Sequence, residues 1–193
     1  MSPPAADLTR QRLIRAALEL FTTRGYHDTT TAQIAKKAGV AEGTIYRHFA
    51  SKQQLVNELY RAAQRWASKV VQDSAKVTDG AGARAQLAAV AHGLLEGAAR
   101  DPSIVKLGLL EPLGAMLDEE SRKTAREFRA AIERIIADGK AQATVRPGAV
   151  EVWAGVWLAV MSHALDKVVS GHWKPGDATT RLVLDGAWRG ISA

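Results

Sequence analysis

Residues 29–52, TTTAQIAKKAGVAEGTIYRHFASK, constrain this chain more than any other stretch. Three helix starts are packed into that short run. Thr30 opens a capping box with Gln33 three residues on, and Ile34, Ala35 and Ala38 form a small apolar face. Ala38-Gly39-Val40 reads as a tight turn. Residues 42–49 then read as a second short helix, and Ser51 opens a third, with Gln54 three residues on. Two short helices joined by a Gly-containing turn make a helix-turn-helix, a unit whose second helix enters the major groove of DNA.

Small residues sharpen this reading. Ala35 and Gly39 let the two helices cross closely, and Gly39 suits the positive-φ position of the turn. Ile34, Val40, Ile45 and Phe49 make a miniature core. The opposite face of residues 42–49 then carries Glu42, Gly43, Thr44, Arg47 and His48, with Tyr46 at its edge. An ordinary pair of core helices with a Gly turn shows the same pattern, so the pattern alone leaves both readings open.

The residues themselves say more. The stretch from about residue 9 to residue 55, including ALELFTTRGYHDTT and IAKKAGVAEGTIYRHFASKQQL, resembles the DNA-binding domain of the tetracycline-repressor (TetR) family of transcription regulators. The resemblance implies an all-α chain. An N-terminal three-helix helix-turn-helix domain over residues 1–52 would precede a C-terminal helical ligand-binding and dimerisation domain over 53–193. Thr30, Thr44, Tyr46, His48 and Lys52 match positions that touch the DNA backbone in that family. Glu42, Gly43 and Arg47 fall on the groove-facing or flanking surface. Ala41 departs from the pattern, because the family often has a Ser or Thr helix cap there, worth on the order of 1 kcal/mol.

Charge agrees with a nucleic-acid partner. Residues 1–52 hold 8 Lys/Arg and 4 Asp/Glu, net +4, out of +6 for all 193 residues. No basic stretch carries a long apolar face with aromatic anchors, which argues against a membrane surface. No Cys occurs, so no disulfide, thiol nucleophile or Cys-ligated metal site is expected. No uninterrupted apolar run approaches the length of a bilayer span, and the start MSPPAADLTRQR has no secretory apolar segment. Residues 1–7, with Pro3 and Pro4, are expected to form a loose arm. The family's prokaryotic setting implies a cytoplasmic address.

Beyond Lys52 the pattern is helical throughout, without strand-like alternation or internal repeat. Helices are expected over 9–24, 52–74, 83–100, 103–110, 119–140, 149–170 and 177–191. The penultimate one is apolar over most of its circumference. Val150, Trp153, Trp157, Ala164 and Val168 form one stripe, which Val152, Val156 and Ala159 widen. Such a helix needs partners on two sides. Its own core is one. The resemblance supplies the other, a homodimer built as a four-helix bundle with Leu182 and Trp188 of the last helix; the alternative is burial of both helices within a monomer.

The family's ligand pocket lies among the middle helices. That places Leu109, Met116, Phe128, Trp153 and Trp157 as candidate liners, and His92, Glu111 and His163 as polar handles for a small apolar or aromatic effector. An apolar residue at helical spacing is more often core, and a lone His more often hydrogen-bonded, so each has a plain structural reading as well. No HExxH, GxSxG, GxGxxG or phosphate-binding Gly loop occurs, and neither enzyme activity, cofactor nor metal is expected. The other alternative is an interaction protein whose helix-turn-helix no longer binds DNA, against which Tyr46, His48 and Lys52 argue. Double-stranded DNA, a second copy of the chain and a small effector are thus the expected partners.

Overall fold

The computed structural model describes residues 5–78 and 80–193. Among them are nine α-helices: α1 (Ala5–Arg24), α2 (Thr31–Ala38), α3 (Glu42–Ile45), α4 (Lys52–Val77), α5 (Ala83–Arg100), α6 (Pro102–Val105), α7 (Glu119–Ala141), α8 (Val150–Val169) and α9 (Ala178–Ile191). The described residues contain no strand beyond a single bridge between Val145 and Ser192. The chain is all-α, as its pattern predicts.

Side-chain caps set most helix starts. Thr30, Ser51, Asp101, Asp118 and Asp177 each accept a hydrogen bond from a backbone N–H in the first turn that follows. Asp101 is followed by Pro102 at the first position of α6, where the missing N–H costs nothing.

Four boundaries differ clearly from expectation. The helix α4 runs three residues further, to Val77. The helix α1 begins at Ala5 rather than Thr9, because Ala5 and Ala6 are strong helix formers and Asp7 sits in the first turn. The arm reading therefore fails for residues 5–7 and, for residues 1–4, lies outside the described residues. The helix α3 ends at Ile45, not Phe49. Gly43 weakens it, Ala41 offers no side-chain cap, and the N–H groups of Arg47 and His48 reach only three residues back, to Thr44 at 3.2 Å and Ile45 at 3.0 Å. Finally, α6 widens into a π-type turn over Lys106–Leu110, which Glu111 N–H closes on the Lys106 carbonyl at 2.9 Å.

Two apolar cores form. The first gathers Leu13, Ala17, Phe21, Ile34, Ile45 and Phe49 of the N-terminal helices with Leu55, Val56 and Leu59 of α4, and it also takes in Leu107. The second gathers α5, α7, α8 and α9 around Leu87, Leu94, Ile132, Ile136, Trp157 and Met161, with Ala67 and Val71 from the far half of α4. By length and composition α8 could cross a bilayer. Counting uninterrupted runs missed this, because Glu151, Asp166 and Lys167 stand at its ends and leave a long apolar middle. Its inner face packs against α5, α7 and α9.

Close approach of α4 to α5 depends on glycine. A Cβ added at Gly97 would overlap the Trp66 ring, and one at Gly93 would press on Val70 at 2.6 Å. Gly97→Ala should therefore destabilise the protein by about 1–3 kcal/mol through overpacking, although Ala is the better helix former. Urea unfolding followed by Trp emission checks this; an unchanged or raised midpoint would show that Trp66 is free to move aside.

Candidate nucleic-acid interface and effector cavity

The helix-turn-helix is built from local bonds. Thr30 Oγ1 accepts from Gln33 N–H at 3.2 Å, and Gln33 Oε1 accepts from Thr30 N–H at 2.9 Å, completing the capping box. Gly39 closes α2 with φ 67° and ψ 40°, the left-handed geometry expected of it. The burial of Ile45 and Phe49 then fixes which face of the α3 turn points outward.

On that outward face the structure brings together Glu42, Gly43, Tyr46 and Arg47, all exposed, with Thr44 and His48 half-buried beside them and Thr30 exposed at the start of α2. Tyr46 is 55% exposed, high for an aromatic ring, and its hydroxyl lies 3.0 Å from Thr31 Oγ1. That bond ties the α3 turn to the first turn of α2. The sequence reading passed over Thr31, since nothing in the spacing shows that Tyr46 reaches across the turn.

Lys52 is more committed than its sequence position suggests. Its ammonium donates to the carbonyls of Tyr26 and Thr29, both at 2.8 Å, and stands 4.2 Å from the centre of the Tyr26 ring. Burial pushes its pKa below the ordinary lysine value, partly offset by the Asp28 carboxylate. With two of three N–H groups taken, one remains for an outside acceptor. The same Thr29 is fully buried and donates its hydroxyl to Gly25 O at 2.8 Å. Lys52 thus clamps the α1–α2 loop onto the start of α4.

The candidate effector residues separate. Leu109 and Phe128 line one cavity of about 340 Å³ with Leu94, Leu158, Met161 and Leu165. Its mouth is edged by Gly155, Ala159 and Ser162 of α8. The other six lie elsewhere. His92 is exposed on α5. Glu111 faces Lys106 at 3.8 Å. Met116 packs on the N-terminal core, and its carbonyl accepts from Gln53 and Asn57 of α4. Trp153 lies under the Arg146 guanidinium, its indole N–H on Pro147 O at 3.2 Å. Trp157 points between α5 and α9. His163 is exposed against the Trp173 ring, 5.5 Å between centres. Helical spacing alone could not separate the two sides of α8, both of which are apolar. Leu158, Ser162 and Leu165 were missed for the same reason.

The candidate dimer residues also divide. Val152, Val156, Ala159 and Leu182 are exposed, Leu182 by 71%. Trp188 turns the other way, toward Leu87 and Trp157.

Between the two regions runs a set of polar ties. Lys106 Nζ donates to Thr22 O at 2.7 Å, at the end of α1. Asn57 accepts from Asp118 N–H at 2.9 Å, and Gln64 donates to Gly108 O at 2.8 Å. Leu109, a cavity liner, and Lys106 and Leu107, which touch the N-terminal core, belong to the one π-type turn.

Comparison with known proteins agrees with this geometry. Residues 13–59 match the profile described as bacterial regulatory proteins, tetR family. The chain is 35% identical over 136 residues to the HTH-type transcriptional regulator TcmR of Streptomyces glaucescens, a match that covers 67% of this chain and 59% of that protein. Other curated relatives match over less of their length, 28% and 44%. The fold is shared with a TetR-family regulator from Marinobacter aquaeolei, TM-score 0.80 at 19% identity over 96% of each chain. It is also shared with the transcriptional regulator FadR of Bacillus subtilis, solved in complex with stearoyl-CoA, TM-score 0.72 at 23% identity over 94% of this chain and 98% of that one.

Lys52→Met keeps the aliphatic stem and removes both carbonyl bonds. Charged hydrogen bonds are worth roughly 1.5–3 kcal/mol when buried, and partial exposure reduces this to about 1 kcal/mol here. Urea unfolding read by circular dichroism should show a loss of that size. No change would mean that the clamp carries no weight.

Proposed function

Because this chain belongs to the TetR family of bacterial regulatory proteins, we propose that it is a ligand-responsive, DNA-binding transcriptional repressor acting as a homodimer. The observation that carries this reading is the outward face of the capped, clamped helix-turn-helix, where Tyr46, Arg47 and Glu42 stand exposed over a core of Ile45 and Phe49. Thr30, Thr44, Tyr46, His48 and the remaining N–H of Lys52 contact phosphates, while Glu42, Gly43 and Arg47 face the groove. Residues 1–52 act as the DNA-binding head and 53–193 as the effector and dimer domain. The protein works in the cytoplasm, and its role is binding rather than catalysis.

The homodimer forms through α8 and α9. Val152, Val156 and Ala159 of α8 and Leu182 of α9 present an apolar surface that the two helices do not bury in their own domain. Pairing about a two-fold axis presents two heads to successive major grooves, about 34–36 Å apart, on a palindromic operator.

The effector is a small apolar or aromatic molecule in the cavity of Leu94, Leu109 and Phe128. Its walls are apolar, and FadR, a protein of the same fold, is solved with stearoyl-CoA, whose acyl chain is apolar. A ligand there presses on Leu109 and shifts the π-type turn. Lys106 and Leu107 in that turn hold the end of α1, so the shift reaches the head. Release is a coupling between two sites, typically about 1–3 kcal/mol.

Two measurements test this. Affinity for duplex DNA should fall steeply with salt, as phosphate contacts require; a salt-independent or absent affinity would contradict the reading. Val156→Glu should sediment as a monomer with its helical content kept, since the side chain is 37% exposed in the single chain, and it should lose operator binding. A variant that remains dimeric moves the interface away from α8.

A further inference from the structure

A second cavity opens on a different face of α8, between α5 and α9, with a volume of about 240 Å³. Its walls are the apolar side chains Leu87, Ala91, Trp157, Leu184 and Trp188. Leu87, Ala91 and Trp157 are fully buried, so the inner wall is shielded from bulk solvent. An apolar space of this size gives water few partners, and the two indoles border it without filling it.

The mouth is charged. Arg84 of α5 and Asp185 of α9 pair across it at 2.9 Å, and Asp185 also accepts from Arg189 at 2.6 Å. Arg181 stands on the same rim, one turn before Asp185, its guanidinium on Gly176 O. Two guanidinium groups thus share one carboxylate, and Arg181 adds a third positive charge on the rim, leaving a positive surplus over an apolar slot. The Arg84 side chain is 67% exposed, and a pair that exposed is weak enough to exchange partners.

We infer that this cavity is a binding site for a small amphipathic monocarboxylate, its apolar body between Trp157 and Trp188 and its carboxylate on Arg84 in place of Asp185. The site is separate from the effector cavity and does not depend on the DNA-binding reading. The volume falls below the ~300–1,000 Å³ typical of drug-sized ligands, which limits the occupant to one ring, a fused pair or a short chain. Arginine suits the head group, because its planar fork matches a carboxylate's two oxygens.

Isothermal titration of the full chain with 2-naphthoate tests the assignment. The parent binds. Ala88→Phe adds bulk at an exposed position on the cavity wall and should abolish binding, with helical content unchanged. Ser162→Phe, at the mouth of the other cavity, should leave binding intact. Arg84→Gln, at a side chain 67% exposed, should weaken 2-naphthoate about fivefold, as expected for an exposed ion pair of about 1 kcal/mol, and leave the neutral 2-naphthylmethanol unaffected. The inference is overturned if the parent shows no binding, if Ser162→Phe abolishes the signal while Ala88→Phe keeps it, or if Arg84→Gln weakens the acid and the alcohol alike.

Discussion

The helix α4 belongs to two cores at once, and the relation between the head and the helical domain depends on that. Leu55, Val56 and Leu59 complete the N-terminal core, while Ala67 and Val71 of the same unbroken 26-residue helix are buried in the other. A helix is stiff along its axis, so neither core can rotate about α4 without breaking contacts at one end. Gly93 and Gly97 bring α5 hard against it, and Gly108 does the same for the π-type turn, where a Cβ would overlap Ala63. A displacement in the helical domain then has few outlets apart from the head.

Three polar ties add to this link. Lys106 holds the end of α1, Asn57 joins α4 to the start of α7, and Arg61 pairs with Asp118 at 2.9 Å. The Asp118 carboxyl is raised by desolvation but lowered further by its Ser121 hydrogen bonds and by Arg61, for a net depression. Its contribution to folding is therefore complete above the ordinary carboxylate range and fades as pH falls through the folded value. The junction is polar and local, so opening it exposes less apolar surface than opening either core.

The head was legible because its determinants are short-range. A Thr with a Gln three residues on, a Gly at a left-handed turn and a Ser before a long helix are each decided within one or two turns of chain, and the structure forms them as spelled. The α3 boundary was not legible, because Gly43 and the uncapped Ala41 shorten the helix while Ile45 and Phe49 still bury as a helix would have them. The site in the helical domain was harder for a different reason. The helix α8 is apolar on both sides, so periodicity could not tell that Trp157 faces α9, Trp153 faces Arg146 and Leu158 faces the cavity of Leu109 and Phe128. Lys52 shows the same limit: its carbonyl partners at Tyr26 and Thr29 lie on a loop more than twenty residues away.

The central claim is that two identical heads, set at a fixed distance by α4 and the α8–α9 face, read DNA together. Selection of binding sequences from a random duplex pool with the purified protein addresses it most directly. The account predicts enrichment of an inverted repeat whose half-sites lie about one helical turn apart, ~10–10.5 base pairs centre to centre or a multiple of it. Enrichment of a single unrepeated half-site, or of no sequence at all, would contradict it.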